Sequence, residues 1–526
     1  MTSSGDAIVR LRRHTLGDLI QRSAARHPEK PAIICGTVTW PYGQFDRMCT
    51  QLAAGLARRG VASGDRVAIM SRNSHNFAAV RYALARLGAV LVPINFMLRP
   101  AEAAFILDHA QVKMLCVDTE FADVAGRAAA GTRVERLLWL PGESPSSQPA
   151  AIEPIDELLV DDAWTPPDVA GDQMAQIIYT SGTEARPKGA MLTHDAVIWQ
   201  YVSCIVDAAI SADDVILHAL PLYHCAQLDA FLGPALYVGA VNVITARPVP
   251  ENLFHLMERH RITSFFAPPT VWISMLRSPQ FDRHDLTRLR KGYYGASPMP
   301  VEVLRELQQR LPDVEFWNLY GQTEIAPVAT VLKPQEQLRK PGSAGRAVLN
   351  VETRVVDELG RNVPVGAVGE VVHRSPQLLS GYYHDVERTD AAFSGGWFHS
   401  GDLARIDHDG YLTIVDRKKD MIKTGGENVA SREVEEVLYR LDGIAEVAVI
   451  GLPDPVWVES VTAVIVPRPG HSVTPESVIV HCREALAGFK VPKRVILVES
   501  LPKNPSGKLL KRELRELYAT WPDSAT

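Results

Sequence analysis

Hydrophobic residues in the first 165 positions alternate between two periods. Leu16 to His27, Tyr42 to Arg59 and Asn76 to Leu87 carry apolar residues at helical spacing. Between them lie short apolar runs, at Lys30–Ile34, Asp65–Met70 and Gly88–Pro93, that read as buried strands. Such alternation predicts βαβ units around a mostly parallel sheet. The pattern resumes with strands at Met174–Ile178, Asp214–Leu220 and Thr263–Ala267 and a helix at Val301–Leu311. From about Gly345 its character changes. Val351–Val356, Gly369–His373 and Tyr411–Val415 are short strands set between turns, which predicts a small antiparallel barrel or sheet. A charged break, Asp416-Arg-Lys-Lys-Asp420, then precedes a compact unit of roughly a hundred residues. The expected fold is α/β. A large domain over 1–415 holds two α/β subdomains and a small β-barrel, and a small α+β domain covers 416–526. Glu143–Pro154, rich in Ser, Pro and Gln, reads as a surface linker.

Composition narrows the classes. A net charge of −6 provides no basic footprint for nucleic acid. The six cysteines are scattered without a CxxC pair. That argues against zinc sites and a disulfide framework, and fits a reducing cytoplasm. The N-terminus lacks the apolar core of a signal peptide, and no apolar run is long enough to span a bilayer.

The densest chemistry is at Tyr179–Gly189, YTSGTEARPKG. Thr180, Ser181 and Thr183 supply hydroxyls, Gly182 supplies backbone freedom and Lys188 supplies charge. Such a loop after a strand suits phosphate: N–H groups and hydroxyls donate while the lysine neutralises. The Walker pattern is not met, because Gly189 follows Lys188. For this loop alone, a polar surface turn is the alternative. Four further motifs stand at wide intervals. Tyr293–Pro298 ends a strand in small residues, against which a flat ring can lie. Asn318–Glu324 ends in a hydroxyl and a carboxylate, which suit phosphate and a hard cation such as Mg²⁺. Trp397–Asp402 sets a carboxylate on a glycine turn, where it can accept from ribose hydroxyls. Lys503–Lys508 offers a lysine on a loop near the end.

Together, in this order, these motifs resemble the acyl-adenylate-forming superfamily, over Leu16 to Leu517. Its members include acyl-CoA synthetases, peptide-synthetase adenylation domains and beetle luciferases. The resemblance implies that Thr180, Ser181, Gly182, Thr183 and Lys188 form the phosphate loop. Gly295, Ala296, Ser297 and Tyr320 would flank adenine, Thr323 would touch the α-phosphate, and Glu324 would hold Mg²⁺. Asp402 would bind the ribose, assisted by Arg417 just past a hinge at Asp416. Lys508 matches the lysine that polarises the acid and the α-phosphate, and His224 matches a histidine lining the acid pocket. The small domain would rotate about Asp416 between two half-reactions. Gly425 and Gly426 would then let a pantetheine arm pass close to the backbone.

The implied activity is ATP- and Mg²⁺-dependent conversion of a carboxylic acid to acyl-AMP and pyrophosphate, then acyl transfer to coenzyme A. Partners are then the acid, ATP and CoA, and a homodimer stays open. The expected acid is a medium- or long-chain fatty acid; an aryl or steroid-like acid is the alternative. Transfer to a carrier protein or an amine in place of CoA stays open too, as does a non-catalytic acyl- or nucleotide-binding relative. Pocket candidates are His224, Gln227, Leu228, Gly295, Ala296, Tyr320, Ile325 and Pro327. Asp229 lies beyond the position where amino-acid-activating domains keep an aspartate, which disfavours an amino-acid substrate. His194 reads as part of a helix start and Cys225 as packing. Two departures stand out. Glu184-Ala185 replaces the usual Thr-Gly of the phosphate loop, and Val458 replaces a frequent Gly.

Overall fold

A computed structural model describes residues 11–519 except 145, 150–151, 161–163, 181–186, 296–298, 419, 425–426 and 504–508. Four sheets organise the chain. The eight-stranded sheet runs, edge to edge, through Gly381–Tyr382, Lys188–Thr193, Met174–Thr180, Val90–Pro93, Arg66–Met70, Val112–Val117, Arg136–Trp139 and Glu153–Pro154. It is parallel from Met174–Thr180 onward, and antiparallel at the two strands before it. Its central strands lie between helices and are apolar on both faces; all of Val90–Pro93 is buried. The helix His75–Leu87 starts at Ser74, whose hydroxyl accepts from Phe77 N, and stops at Gly88 in the left-handed region (φ 68°).

The second sheet has nine strands. Its order is Arg346–Ala347, Val328–Leu332, Glu315–Gly321, Lys291–Gly295, Ser264–Phe266, Val215–His218, Val241–Ile244, Pro31–Cys35 and Val38–Pro41. The first strands of the chain thus belong to the sheet made mostly by residues 215–347. Pro31–Cys35 pairs in parallel with Val241–Ile244, with Ile33 opposite Asn242. Side chains lock this crossing: Asn242 Nδ2 donates to Ala32 O (3.0 Å) and Tyr42 Oη to Ala240 O (2.7 Å). The expected linker is also anchored. Glu143 Oε2 accepts from Ala246 N at 2.8 Å, and Glu153–Pro154 completes the first sheet.

The third sheet is antiparallel and joins Glu352–Val356, Gly369–Arg374, Phe398–Ile406 and Leu412–Arg417. The fourth lies wholly after residue 421. It is built on the long hairpin Ile444–Asp454 and Val458–Pro467, with Ile422–Thr424 and Glu427–Val429 on one side and Arg494–Leu497 in parallel. It has its own core, including Val434, Leu438, Val447 and Ile465. Among the described residues no helix is long and apolar enough to cross a membrane.

Candidate active site

The loop at Tyr179–Gly189 joins two antiparallel strands. It therefore differs from a strand-to-helix phosphate loop. Thr180 pairs across the hairpin with Lys188, and Tyr179 with Gly189. The helix follows only after the second strand, at His194–Asp207, capped by Thr193 Oγ1 accepting from Ala196 N. His194 is the first residue of that helix and is fully buried. Its Nδ1 accepts from Leu16 N, and burial pushes it down to about 3, so it is a neutral structural group.

A second backbone arm reaches the same place. The strand Glu315–Gly321 lies parallel to Lys291–Gly295, with Leu319 opposite Gly295. It ends at Gly321, where a Cβ would stand 2.0 Å from Pro327 O, so only glycine fits. The chain then turns through the buried segment Thr323–Ile325. Leu379 N donates to Glu324 O at 2.8 Å and ties this turn to the Gly381–Tyr382 edge strand.

These arms bring together three side chains far apart in sequence. Lys188 Nζ lies 3.1 Å from Glu324 Oε1. Tyr382 Oη accepts from Lys188 Nζ at 2.5 Å and donates to Glu324 Oε1 at 2.9 Å. The ammonium also sits over the Tyr382 ring, 4.1 Å from its centroid. Burial raises the Tyr382 phenol, and the Glu324 carboxylate adds to the shift, so it remains protonated and can donate. Thr180 Oγ1 and Gln322 Nε2 are buried without a hydrogen-bond partner among the described residues. Unsatisfied polar atoms of this kind are expected where a ligand completes the site.

Asp402 is held by Tyr320 of the strand Glu315–Gly321 and by Arg417. Tyr320 Oη donates to its Oδ2 at 2.6 Å, and Arg417 Nε is 3.5 Å from its Oδ1. The second contact follows from register, since Asp402 and Arg417 are cross-strand partners. Asp416, opposite Leu403, turns the other way: Oδ2 accepts from Ser431 N and Ser431 Oγ, both at 2.7 Å. The expected hinge residue is thus tied to the helix Ser431–Leu438.

Thr323 Oγ1 lies 3.3 Å from Cys225 Sγ, which links the Thr323–Glu324 turn to the His224 loop. His224 Nδ1 accepts from Ala226 N and caps the short helix Cys225–Gln227. That bond leaves the proton of a neutral ring on Nε2. Burial pushes the Cys225 thiol up to about 12, which keeps it an unreactive packing group.

Three pocket candidates, Gln227, Leu228 and Ile325, are packed in the core. Gln227 is fully buried; its Nε2 donates to His218 Nδ1 at 2.7 Å, and His218 Nε2 reaches Asn242 Oδ1 at 2.9 Å. Leu228 packs in the main hydrophobic cluster. Asp229 is also committed, because it pairs with the buried Arg81 at 3.3 Å. Ser181, Gly182, Thr183, Glu184, Ala185, Ala296, Ser297, Gly425, Gly426 and Lys508 lie outside the described residues. Tyr382 was not among the sequence candidates. Its only local signal is the aromatic run after Gly381, and the pairing of Tyr382 with Ala190 is what sets it beside Lys188.

The donor set has the chemistry of a nucleotide-phosphate site with a hard cation. Among the described residues no group of three or more His, Cys, Asp or Glu side chains could cage a metal. One carboxylate with a neighbouring hydroxyl fits Mg²⁺, which takes few protein ligands and completes its shell with phosphates and water.

Comparison with known proteins agrees. A family profile described as "AMP-binding enzyme" matches residues 20–383, and one described as "AMP-binding enzyme C-terminal domain" matches residues 433–508. A feruloyl-CoA synthase from an Amycolatopsis species is 36% identical over 97% of this chain and 100% of its own. A long-chain-fatty-acid–CoA ligase of Mycobacterium tuberculosis is 34% identical over 96% of this chain and 98% of its own. Among solved structures, the anthranilate CoA ligase AuaEII in complex with anthranoyl-AMP superposes with a TM-score of 0.88. It is 25% identical and aligned over 96% of this chain and 97% of that one.

Proposed function

The chain belongs to the AMP-binding enzyme family and is an AMP-forming acyl-CoA ligase that uses ATP, Mg²⁺ and CoA, and we propose that its acid is a compact, apolar aryl or aryl-alkenoic acid. The observation that carries the site reading is the meeting of Lys188 and Glu324 at 3.1 Å, with Thr180, the cross-strand partner of Lys188, holding a buried hydroxyl that has no partner among the described residues. Lys188 and Thr180 would hold the phosphates, Thr323 would touch the α-phosphate, Glu324 would hold the cation, and Asp402, braced by Tyr320 and Arg417, would take the ribose hydroxyls. The bound cation supplies positive charge where phosphate charge accumulates. An acid oxygen attacks the α-phosphorus, the bond to the β-phosphate oxygen breaks and pyrophosphate leaves. The CoA thiol then attacks the acyl carbon, loses its proton and releases AMP.

The small domain beyond Asp416 brings Lys508 to the first step and turns away for the second. The tie from Asp416 to Ser431 supports a pivot there, because the aspartate joins the last strand of the third sheet to the first helix beyond it.

An aromatic cluster packs in the core next to Tyr320. Phe231 stacks on Phe266 (4.4 Å between centroids) and meets Tyr293, which stacks on Trp317. All four rings are buried, in one cluster with the partly buried Tyr320. The choice of acid is supported by the relative named for feruloyl-CoA, which is 36% identical over 97% of this chain. A medium- or long-chain fatty acid is the second reading, favoured by the relative named for such acids.

Pyrophosphate release across aryl acids and C8–C16 fatty acids, with and without CoA, tests the choice. Higher kcat/KM for the fatty acids overturns the first reading. Lys508→Ala should abolish adenylation yet leave thioester formation from supplied acyl-AMP. Equal loss in both halves refutes the two-position use of the small domain.

A further inference from the structure

The roles above leave the Tyr382 phenol without a task, although it touches both Lys188 and Glu324. Its position is strongly determined. Gly381 pairs with Met191 and Tyr382 with Ala190, so the residue is the cross-strand neighbour of the strand that begins at Lys188. Tyr382 N donates to Thr389 Oγ1 at 2.9 Å, and Thr389 Oγ1 donates to Asp385 O at 2.7 Å. Tyr383 N donates to Gly189 O at 2.8 Å. The ring is buried, 5% exposed, and the phenol ends on the one carboxylate oxygen that also faces the lysine.

Lys188 and Glu324 also pair directly at 3.1 Å, and in that pair each neutralises the charge the other needs for its ligand. The phenol bonded to both gives each a neutral partner as well. It donates to the carboxylate without cancelling its charge, and it accepts from the ammonium. When Lys188 turns to an anionic phosphate, Glu324 keeps a donor on Oε1 and its orientation. Among the described residues nothing bonds its other oxygen, the one a cation would take.

We propose that Tyr382 is a positioning residue for metal-dependent nucleotide binding: it holds Glu324 in the orientation that takes the divalent cation while Lys188 is handed to the phosphates. This rests on the assignment of Lys188 and Glu324 given above. Tyr382 is outside the reacting atoms and acts through Glu324.

The test is equilibrium binding of ATP by titration calorimetry, in excess Mg²⁺ and in EDTA, to the full chain and to Tyr382→Phe, Glu324→Gln and the double variant. Phe keeps the ring and its packing on Lys188. Loss of a hydrogen bond to a charged group predicts roughly tenfold weaker binding of ATP in Mg²⁺ for Tyr382→Phe. In EDTA its affinity stays within about twofold of the parent, because the group lost serves the cation's ligand. The double variant binds no more weakly than Glu324→Gln alone, since a residue acting through Glu324 has nothing left to position. Additive losses, equal losses in Mg²⁺ and EDTA, or unchanged affinity in Tyr382→Phe overturn the inference. If Glu324→Gln itself leaves the Mg²⁺-dependent gain intact, the site assignment fails, and this inference with it. If Glu324→Gln loses that gain and Tyr382→Phe does not, only the role of Tyr382 is refuted.

Discussion

Asp229 offers a quantitative test of how the ground beneath the His224 loop is built. Its side chain is 0% exposed and that of Arg81 1%. Arg81 Nη2 (3.3 Å) and Tyr201 Oη (3.2 Å) donate to Oδ1, and Gln176 Nε2 (2.7 Å) donates to Oδ2. Arg81 Nε and Nη1 have no other partner among the described residues. Burial pushes the Asp229 carboxyl up, while Arg81 and the hydrogen bonds pull it down. Asp229→Asn preserves the shape and removes the charge. However the amide is turned, one donor then faces its NH₂ group. At 3.3 Å and an effective dielectric of 20, the lost attraction is about 5 kcal/mol. Truncating one member of a buried pair typically costs about 3–5 kcal/mol, so the two figures agree. Urea unfolding followed by circular dichroism should show Asp229→Asn destabilised by about 3–5 kcal/mol. Arg81→Met with Asp229→Leu removes both charges and should recover most of that loss. A single-variant loss below about 1 kcal/mol, or a double variant worse than the single, would refute the claim that an unpaired buried charge sets the cost.

Three more outcomes are expected elsewhere in the chain. Val458, 70% exposed, holds φ at +72°, a conformation costly for a β-branched side chain, so Val458→Gly should stabilise the chain by about 1 kcal/mol, read as a raised melting temperature. Tyr320→Phe frees Asp402 from its 2.6 Å donor and should raise the KM for ATP about tenfold, with the KM for the acid within about twofold in steady-state assays. Burial lowers His194 to about 3 and His75, His218 and His373 to about 4, so all four are neutral in the folded chain at neutral pH. Below their ordinary value of about 6.5 the unfolded chain takes up these protons and the folded chain does not, so stability falls as pH drops from about 6.5 toward 4. Urea midpoints across that range should decline together with net proton uptake on unfolding; a flat profile would contradict it.

Much of this protein was legible from residue order alone. Period and composition determine most elements, because an apolar face at spacing 3.6 or a short β-branched run has few other ways to leave water. Tyr42–Arg58, Val301–Arg310 and Met174–Thr180 all form where the pattern puts them. The five motifs were legible for a related reason: phosphate, cation and ribose each demand a particular side-chain type on a tight turn. What the sequence could not express is distance. Pro31–Cys35 joins the nine-stranded sheet because the edge of Val241–Ile244 stands open to it, and no local pattern carries that choice. Gln227 and Asp229 sit beside His224 in the chain, yet both turn to buried partners, His218 and Arg81. Tyr382 acquires its place only through pairing with the strand that starts at Lys188. Local chemistry chooses which groups a site can use, while sheet register and burial decide which of them meet.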